Sequence, residues 1–130
     1  MNNISDAADL LATAREALTH ELLPLVPKER RYVGLMIANV IGIAARELRA
    51  GTVAMANEAE RVAKLLVRCD IPLPGDPKAD DLPALRRALA TAIRAGRFDE
   101  PAAETALMAH LSRTAADWVA ISNPKALRAK

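Results

Sequence analysis

The sequence predicts an all-α protein, and three observations support this prediction. About half of the residues are apolar (52%) but only 2% are aromatic, so the core must come from aliphatic side chains and from alanine, the best helix former. Long alternating runs of apolar and polar residues, and the Asn-Gly or Asp-Gly turns typical of hairpins, do not occur in the sequence. Apolar residues instead recur at helical spacing in five segments, which predicts a five-helix bundle.

The second predicted helix, residues 28–50, is the most informative segment. Residues 32–45 are apolar on all sides of the helix, and a helix of that kind must be covered by other helices. We therefore predict that this helix is buried at the centre of the bundle. Gly34, Ala38 and Gly42 recur every four residues, which lets a neighbouring helix approach closely.

The other four helices are predicted from their apolar stripes and from the residues that end them. They are expected over residues 6–22, 53–69, 81–96 and 100–122. In the first helix, we expect an inward stripe of Leu10, Leu11, Ala14, Leu18 and Leu22. Gly51 is expected to take the left-handed conformation that ends the second helix, and Gly96 is expected to end the fourth.

The remaining segments are predicted to be loop and tail. The Pro- and Asp-rich segment 70–80 is expected to be a surface loop that Ile71 and Leu73 hold against the core. Asn123-Pro124 is expected to end the last helix, and residues 125–130 are expected to be frayed. Because no repeat or linker interrupts the sequence, we expect residues 1–130 to form a single helical domain.

Charge and cysteine content exclude several classes of protein. Eighteen basic and 16 acidic residues give a net charge of +2, which is too balanced for a nucleic-acid-binding surface. The single Cys69 excludes an internal disulfide and favours a reducing cytoplasm. The N-terminus is unlike a signal peptide, and the apolar part of the second helix is shorter than the roughly 20 residues that cross a bilayer. We therefore expect a cytoplasmic protein that binds neither nucleic acid nor membranes.

Residues typical of catalysis are sparse. Cys69 lies on an apolar helix face, where a cysteine acts as a small hydrophobic residue. His20 and His110 are far apart in the sequence, and neither a His pair nor a Cys pair occurs at metal-ligand spacing. Because a glycine-rich phosphate loop is also absent from the sequence, we expect no catalytic residue, no metal and no cofactor. A stand-alone enzyme that uses His110 or Cys69 is the least favoured hypothesis.

A few polar residues are candidates for partner contacts or for structural roles. Asn39 is an amide inside the apolar helix, where it must find hydrogen-bond partners or cost about 1–3 kcal/mol. Arg46 and Glu47, near the end of that helix, could lock helix positions if they pair with other residues. The third helix has a basic face formed by Arg61, Lys64 and Arg68. This face is typical of a solvated surface, and its alternative role is docking to an acidic partner or a phosphorylated ligand.

Segment 37–48, Ile-Ala-Asn-Val-Ile-Gly-Ile-Ala-Ala-Arg-Glu-Leu, resembles the most distinctive segment of a family of small bacterial helical proteins of unknown function. Residues 6–11 with 21–24, residues 93–99 and residues 110–124 fit the same pattern, so the resemblance spans nearly the whole chain. The matching polar and turn residues are Asn39, Arg46, Glu47, Asn123 and Pro124. The match does not indicate whether these residues serve the fold or a partner.

Members of that family accompany aminoglycoside-phosphotransferase-like kinases and acyl-CoA dehydrogenases. The resemblance therefore implies a non-catalytic accessory subunit that docks on such a kinase, which acts on hydroxyacyl-CoA in acid catabolism. The kinase would hold ATP, magnesium and the catalytic aspartate. Two alternatives stay open: a helical module that binds an acyl chain or a CoA ester beside the glycine-alanine ridge, and a homodimeric structural protein.

Overall fold

The computed structural model describes residues 3–74 and 81–128, and within them the predicted all-α fold is confirmed, with no strand. Five α-helices occur in this part of the chain, as expected. They are α1 (Asn3–Ala17), α2 (Arg31–Arg68), α3 (Leu82–Arg94), α4 (Pro101–Ser122) and α5 (Pro124–Arg128). The largest differences from the predicted helices are at three places, and each has a local cause.

The first difference is at the end of the first helix. The α-helical part ends at Ala17, and Leu18–Leu22 form a π-helix whose wider turn is closed by a hydrogen bond from the Leu23 N–H to the Leu18 carbonyl. Pro24 has no N–H and its ring clashes with the carbonyl four residues earlier, so the α-helical pattern cannot continue through it. Two short 3₁₀-helices, Leu23–Leu25 and Lys28–Arg30, then lead into α2.

The second difference is larger, because the predicted end of the second helix at Gly51 is wrong. Helix α2 continues to Arg68 and includes the predicted third helix. Gly51 costs the helix about 1 kcal/mol relative to alanine, but buried positions follow it at helical spacing, at Ala54, Glu58 and Val62. The buried face therefore runs through the glycine without a break in phase.

Helix α2 ends instead at a left-handed residue that is not glycine. Asp70 has φ of 57°, and the N–H groups of Asp70 and Ile71 donate to the carbonyls of Val67 and Leu66 at 3.0 and 2.9 Å. These two bonds form a Schellman motif. The predicted end of the fourth segment is confirmed, since Gly96 follows α3 with φ of 78°.

The described residues form two compact units. The first unit comprises the residues up to Gly51 together with those from Ile121 onward, and the second comprises those from Thr52 to Ala120. The prediction of a single domain over 1–130 concerns cooperative unfolding and stays a prediction.

The second unit contains the buried apolar cluster of the protein. The cluster consists of Ala59, Val62, Leu65, Leu66, Leu82, Leu85, Leu89, Ala92, Phe98 and Leu107. Ile71 and Leu73 pack against it, as predicted, and so does Cys69. Cys69 is half-buried, and its thiol faces the Arg97 carbonyl at 3.7 Å. The cysteine therefore packs as a small hydrophobic residue.

In the first unit, the prediction of a buried second helix is wrong for this chain by itself. Tyr32 is 71% exposed and Val40 is 61% exposed, and Leu10 and Leu22 of the expected inward stripe are also exposed. The first unit fully buries only small residues of α2 and half-buries some of the larger apolar ones, so the remaining large apolar side chains are accessible. Although α2 has 38 residues, no helix among the described residues combines the length and apolar character that a membrane span requires.

The third difference is in the tail. Helix α4 ends at Ser122, as predicted, but residues 124–128 form the short helix α5 where we expected a frayed segment. Pro124 is suited to a first helical position because it has no N–H to satisfy. Residues 129–130 of the predicted tail and residues 75–80 of the predicted loop lie outside the described residues.

Candidate functional site

The α2 apolar face is the most prominent surface feature of the first unit. We use this name for the exposed side chains of Tyr32, Val33, Leu35, Met36, Ile37 and Val40, which are between 47% and 71% exposed. The opposite side of the helix carries the small residues and is covered. Leu23 reaches the space where a side chain at Gly34 would lie, and the Arg15 Nε donates to the Ala38 carbonyl at 3.0 Å.

The composition of this face indicates what it can do. Val33, Met36, Ile37 and Val40 have the i, i+3, i+4, i+7 spacing with which one helix anchors on a partner protein. Soluble monomers rarely expose a contiguous apolar patch of this kind, and such patches mark interaction sites. The face is therefore suited to binding another protein surface.

The structure places the predicted polar candidates of α2 in different environments. Asn39 is exposed beside the α2 apolar face, so the expected cost of an amide inside a buried helix does not arise. Glu47 is also exposed. Arg46 is half-buried and its Nε donates to the Ile121 carbonyl at 2.6 Å, which ties the middle of α2 to the end of α4.

Asn123 lies between α4 and α5. Its side chain is exposed, and its carbonyl accepts a hydrogen bond from the Ala126 N–H at 3.0 Å. This hydrogen bond is a backbone contact of the first turn of α5. It does not bring the Asn123 side chain to any other candidate.

A second surface feature of the first unit is a groove between the segment that ends α1 and the middle of α2. We call it the arginine groove. Arg15, Glu16, Thr19, His20, Arg46 and Arg49 line it around Gly42, and its volume is about 310 Å³. Sequence reasoning found only Arg46 of the three arginines. Arg15 and Arg49 were missed because the pairing of α1 with α2 has no signal in sequence spacing.

The predicted basic face of Arg61, Lys64 and Arg68 lies in the second unit. All three residues line a shallow groove of about 360 Å³, together with Leu65, Ala106, Ala109 and His110. Lys64 forms an i, i+4 ion pair with Glu60 at 3.3 Å, and Arg68 is exposed. The three residues therefore differ in how much of their charge faces solvent.

Arg61 is held by contacts with side chains of α4. Its Nε donates to the His110 Nδ1 at 3.3 Å and its Nη2 donates to the Thr114 hydroxyl at 3.0 Å. The same Nη2 lies 3.8 Å from the Asp117 carboxylate, which also pairs with Arg113 at 3.2 Å. These contacts hold α4 against α2.

His110 is the buried histidine of this unit, and burial lowers its pKa, followed by the nearby charge of Arg61, while Glu58 opposes the shift. Its Nδ1 accepts a hydrogen bond from Arg61, which requires the neutral imidazole at that nitrogen. The geometry therefore assigns His110 the role of a neutral hydrogen-bond acceptor in the packing of α4.

An ion pair between the buried carboxylate of Glu58 and the half-exposed guanidinium of Arg86 joins α2 to α3. Arg86 donates to both carboxylate oxygens of Glu58, at 2.6 and 2.7 Å. The hydrogen bond from Arg86 is the main reason why the pKa of Glu58 is lowered, against the opposite effect of burial, and the Trp118 side chain adds to the lowering. Since Glu58 is only 3% exposed, this pair orients the two helices.

Comparison with known proteins gives one result. The family model described as Domain of unknown function (DUF6285) matches residues 24–126. No curated protein and no solved structure matches the chain. The matched region begins after α1, contains the whole of α2, α3 and α4, and ends within α5.

Proposed function

Because the chain belongs to the DUF6285 family, whose description names no activity, we propose its function from its own surface. The protein is a non-catalytic accessory subunit that docks on a larger partner through the α2 apolar face. The observation that carries the proposal is the exposure of six large apolar side chains on one helix.

The sequence and the structure support docking for different reasons. Residues 32–45 are apolar around the whole helix, so exposure to water is unfavourable on every side of it. The first unit nevertheless fully buries only small residues such as Ala38 and Gly42, and it half-buries Ile41, Ile43 and Leu48. A partner supplies the missing cover, which is why a helix of this composition remains exposed in the chain alone.

The apolar face alone accounts for part of the free energy that a specific complex requires. Burying the exposed half of each large apolar side chain contributes about 1 kcal/mol, so the six side chains together contribute about 6 kcal/mol. Association costs roughly 4–15 kcal/mol in lost freedom. The α2 apolar face therefore supplies a large part of the binding free energy, and further contacts, such as hydrogen bonds of Asn39, complete it.

The resemblance described above, rather than the geometry, supplies the identity of the partner. It implies an aminoglycoside-phosphotransferase-like kinase that acts on hydroxyacyl-CoA in acid catabolism. In this proposal the kinase carries the nucleotide, the metal and the reacting groups. The engagement of Glu58, Arg61 and His110 in helix packing supports a subunit that contributes no reacting group of its own.

The test is co-expression with an aminoglycoside-phosphotransferase-like kinase from the same organism. Size-exclusion chromatography with light scattering and kinase assays with and without this chain follow. Val40→Asp introduces a charge into the α2 apolar face. Val67→Asp is its matched control, because Val67 lies on the same helix and is 60% exposed, against 61% for Val40. We expect Val40→Asp to weaken the complex at least tenfold and Val67→Asp to leave it unchanged.

Two results would contradict the proposal. One is a wild-type chain that neither co-elutes with the kinase nor changes its activity. The other is an isolated chain that is a stable dimer and becomes a monomer in Val40→Asp, since a second copy would then cover the face and the homodimeric alternative would hold.

A further inference from the structure

We propose that the arginine groove of the first unit binds the phosphoryl group of a small phosphorylated molecule. This inference does not depend on the docking proposal, because it concerns another surface and a small ligand. Four features of the groove carry it: the placement of two guanidinium groups, their charge balance, the donors beside them and the volume.

The first feature is the placement of Arg15 and Arg46 around Gly42. A methyl group at Gly42 would lie 3.0 Å from the Arg15 Nε and 3.2 Å from the Arg46 Nη1. Both guanidinium groups therefore approach the same point, and they can do so only because residue 42 has no side chain. Two like charges near one point repel each other, and an anion bound beside both offsets this repulsion.

The second feature is that backbone carbonyls, rather than carboxylates, fix these two arginines. The Nε of Arg15 donates to the Ala38 carbonyl and that of Arg46 donates to the Ile121 carbonyl. A guanidinium has five N–H donors, so each group keeps its Nη donors for a ligand. Within the described parts of the chain, neither Arg15 nor Arg46 forms an ion pair with a carboxylate.

The third feature is the set of groups beside them. The π-helix places Thr19 and His20 on the wall of the groove, and π-helical turns occur frequently at functional sites. Arg49 also lines the groove, and its charge is partly balanced by Asp9 at 2.9 Å. Glu16 is the acidic residue of the wall, so the three guanidinium groups of the groove are balanced by two carboxylates, those of Glu16 and Asp9.

The fourth feature is size, which together with charge favours a phosphorylated molecule. Pockets that hold small molecules have volumes of roughly 300–1,000 Å³. The volume of the arginine groove, about 310 Å³, lies at the lower end of this range. A phosphoryl group brings a charge of about −1.5 to −2 and three acceptor oxygens at neutral pH. It can therefore accept hydrogen bonds from both guanidinium groups that form no ion pair, and it balances the positive charge that Glu16 leaves.

The experiment is isothermal titration of the isolated full chain with inorganic phosphate, pyrophosphate, glucose 6-phosphate and citrate. We expect saturable binding of pyrophosphate or glucose 6-phosphate, at least tenfold tighter than the binding of citrate. Inorganic phosphate separates a site for the bare ion from a site for a phosphorylated molecule. Tighter binding of inorganic phosphate than of both larger ligands would overturn the proposal, as would equal binding of citrate.

Gly42→Ala is the decisive variant, because it adds one methyl group where the two guanidinium groups meet. The atoms that the methyl group would meet, Nε and Cδ of Arg15 and Nη1 of Arg46, belong to side chains that need to shift by only a few tenths of an ångström, and alanine favours a helix over glycine by about 1 kcal/mol. The variant should therefore fold at least as stably as the wild type but bind the ligand at least tenfold more weakly. Gly51→Ala is the matched control, since its methyl group would meet only the Glu47 side chain, at 3.2 Å.

A second pair of variants tests the charge. Arg15→Gln should weaken binding at least fivefold, and Arg30→Gln, an exposed arginine of the same unit outside the groove, should leave it unchanged. Unchanged affinity in both Gly42→Ala and Arg15→Gln would place the ligand elsewhere and overturn the assignment, as would a wild-type chain that binds none of the four anions. Because no kinase is present in this experiment, its failure leaves the docking proposal unaffected.

Discussion

In the second unit the inward apolar stripe of α2 is buried and a few other apolar side chains of the helix are exposed, whereas in the first unit most of the large apolar side chains of α2 are exposed. Val62 and Leu66 are 0% exposed, but Val40 of the same helix is 61% exposed. The sequence explains the contrast. In the second unit α2 is amphipathic, with Glu60 and Lys64 on its solvent side, so one apolar stripe needs one set of neighbours.

The first part of α2 has no polar side, and the first unit offers only enough neighbours for its small residues. The same physical rule that buries Leu66 within the chain therefore requires a partner from outside at Val40. The comparison shows what an all-round apolar helix predicts. It indicates how much apolar surface must be buried against other protein, but not whether that protein is the same chain or a partner.

The largest expected effect is a difference in the free energy of unfolding between a variant in the second unit and a variant in the first. Leu66→Ala should lower the free energy of unfolding by about 3 kcal/mol, because it leaves a cavity in a packed cluster. Ile37→Ala, on the α2 apolar face, should lower it by less than about 1 kcal/mol, because Ile37 is half exposed. Urea unfolding of the isolated chain, followed by circular dichroism and by Trp118 fluorescence, measures both.

Similar losses in the two variants would contradict the comparison, since Ile37 would then be as well covered as Leu66. The two probes also test the expected single domain. If residues 1–130 unfold cooperatively, the helical signal of the whole chain and the fluorescence of Trp118 in the second unit will share one midpoint.

The next effect concerns the ion pair that orients α2 and α3. Arg86→Ala should lower the free energy of unfolding by about 2 kcal/mol, because it leaves the buried Glu58 carboxylate without its bidentate partner. Arg87→Ala is the matched control, since Arg87 is adjacent and exposed. Thermal unfolding compares them, and equal melting temperatures would show that the pair contributes no net stability.

A smaller effect is expected from His110. Its pKa is lowered in the folded chain from a usual value of about 6.5, so the unfolded chain takes up the proton first. The contribution of the neutral imidazole to stability is therefore complete above about pH 6.5 and is lost as the pH falls from there through the lower folded value. Urea unfolding between pH 7.5 and 5 should show this decline.

His110→Gln provides the comparison, because glutamine can accept the hydrogen bond from Arg61 but does not titrate. Its stability should depend less on pH over this interval than that of the wild type. Glu58 has a lowered pKa as well, but its contribution is lost only below the usual carboxyl range, at more acidic pH. Equal slopes in the two proteins would rule out His110 as the source.

Much of the fold could be predicted from local patterns in the sequence. The predictions that were wrong have a common cause. The stripe of Leu82, Leu85 and Leu89 and the left-handed Gly96 depend on neighbours in the sequence, and both are observed. Gly51 was misread because a glycine can end a helix or continue it. Asp70, which does end α2, has a left-handed conformation that an aspartate adopts only in context.

The candidate sites depended on distant residues and were less accessible to sequence reasoning. Arg46 could be singled out as a charge within an apolar helix, but its neighbour Arg15 is 31 positions away in the chain. Only the pairing of α1 with α2 brings the two guanidinium groups to Gly42. Arg61 was expected on an exposed basic face, yet His110 and Thr114 of α4 hold it, and no spacing in the sequence links these residues.

The smallest expected effect on the isolated chain concerns Asn39. Because this amide is exposed, Asn39→Ala should change the free energy of unfolding by no more than about 0.5 kcal/mol, with any change toward higher stability since alanine favours a helix. In complex with a partner, the lost hydrogen bond should weaken binding about two- to tenfold, which corresponds to roughly 0.5–1.5 kcal/mol. Asn57→Ala, at an exposed asparagine in the second-unit part of α2, is the matched control, which should change stability by a similarly small amount and leave binding unchanged. A stability loss of several kcal/mol in Asn39→Ala alone would mean that the amide is buried in the free chain. The cover of α2 would then come from within the chain, and the reason for expecting a partner at this helix would disappear.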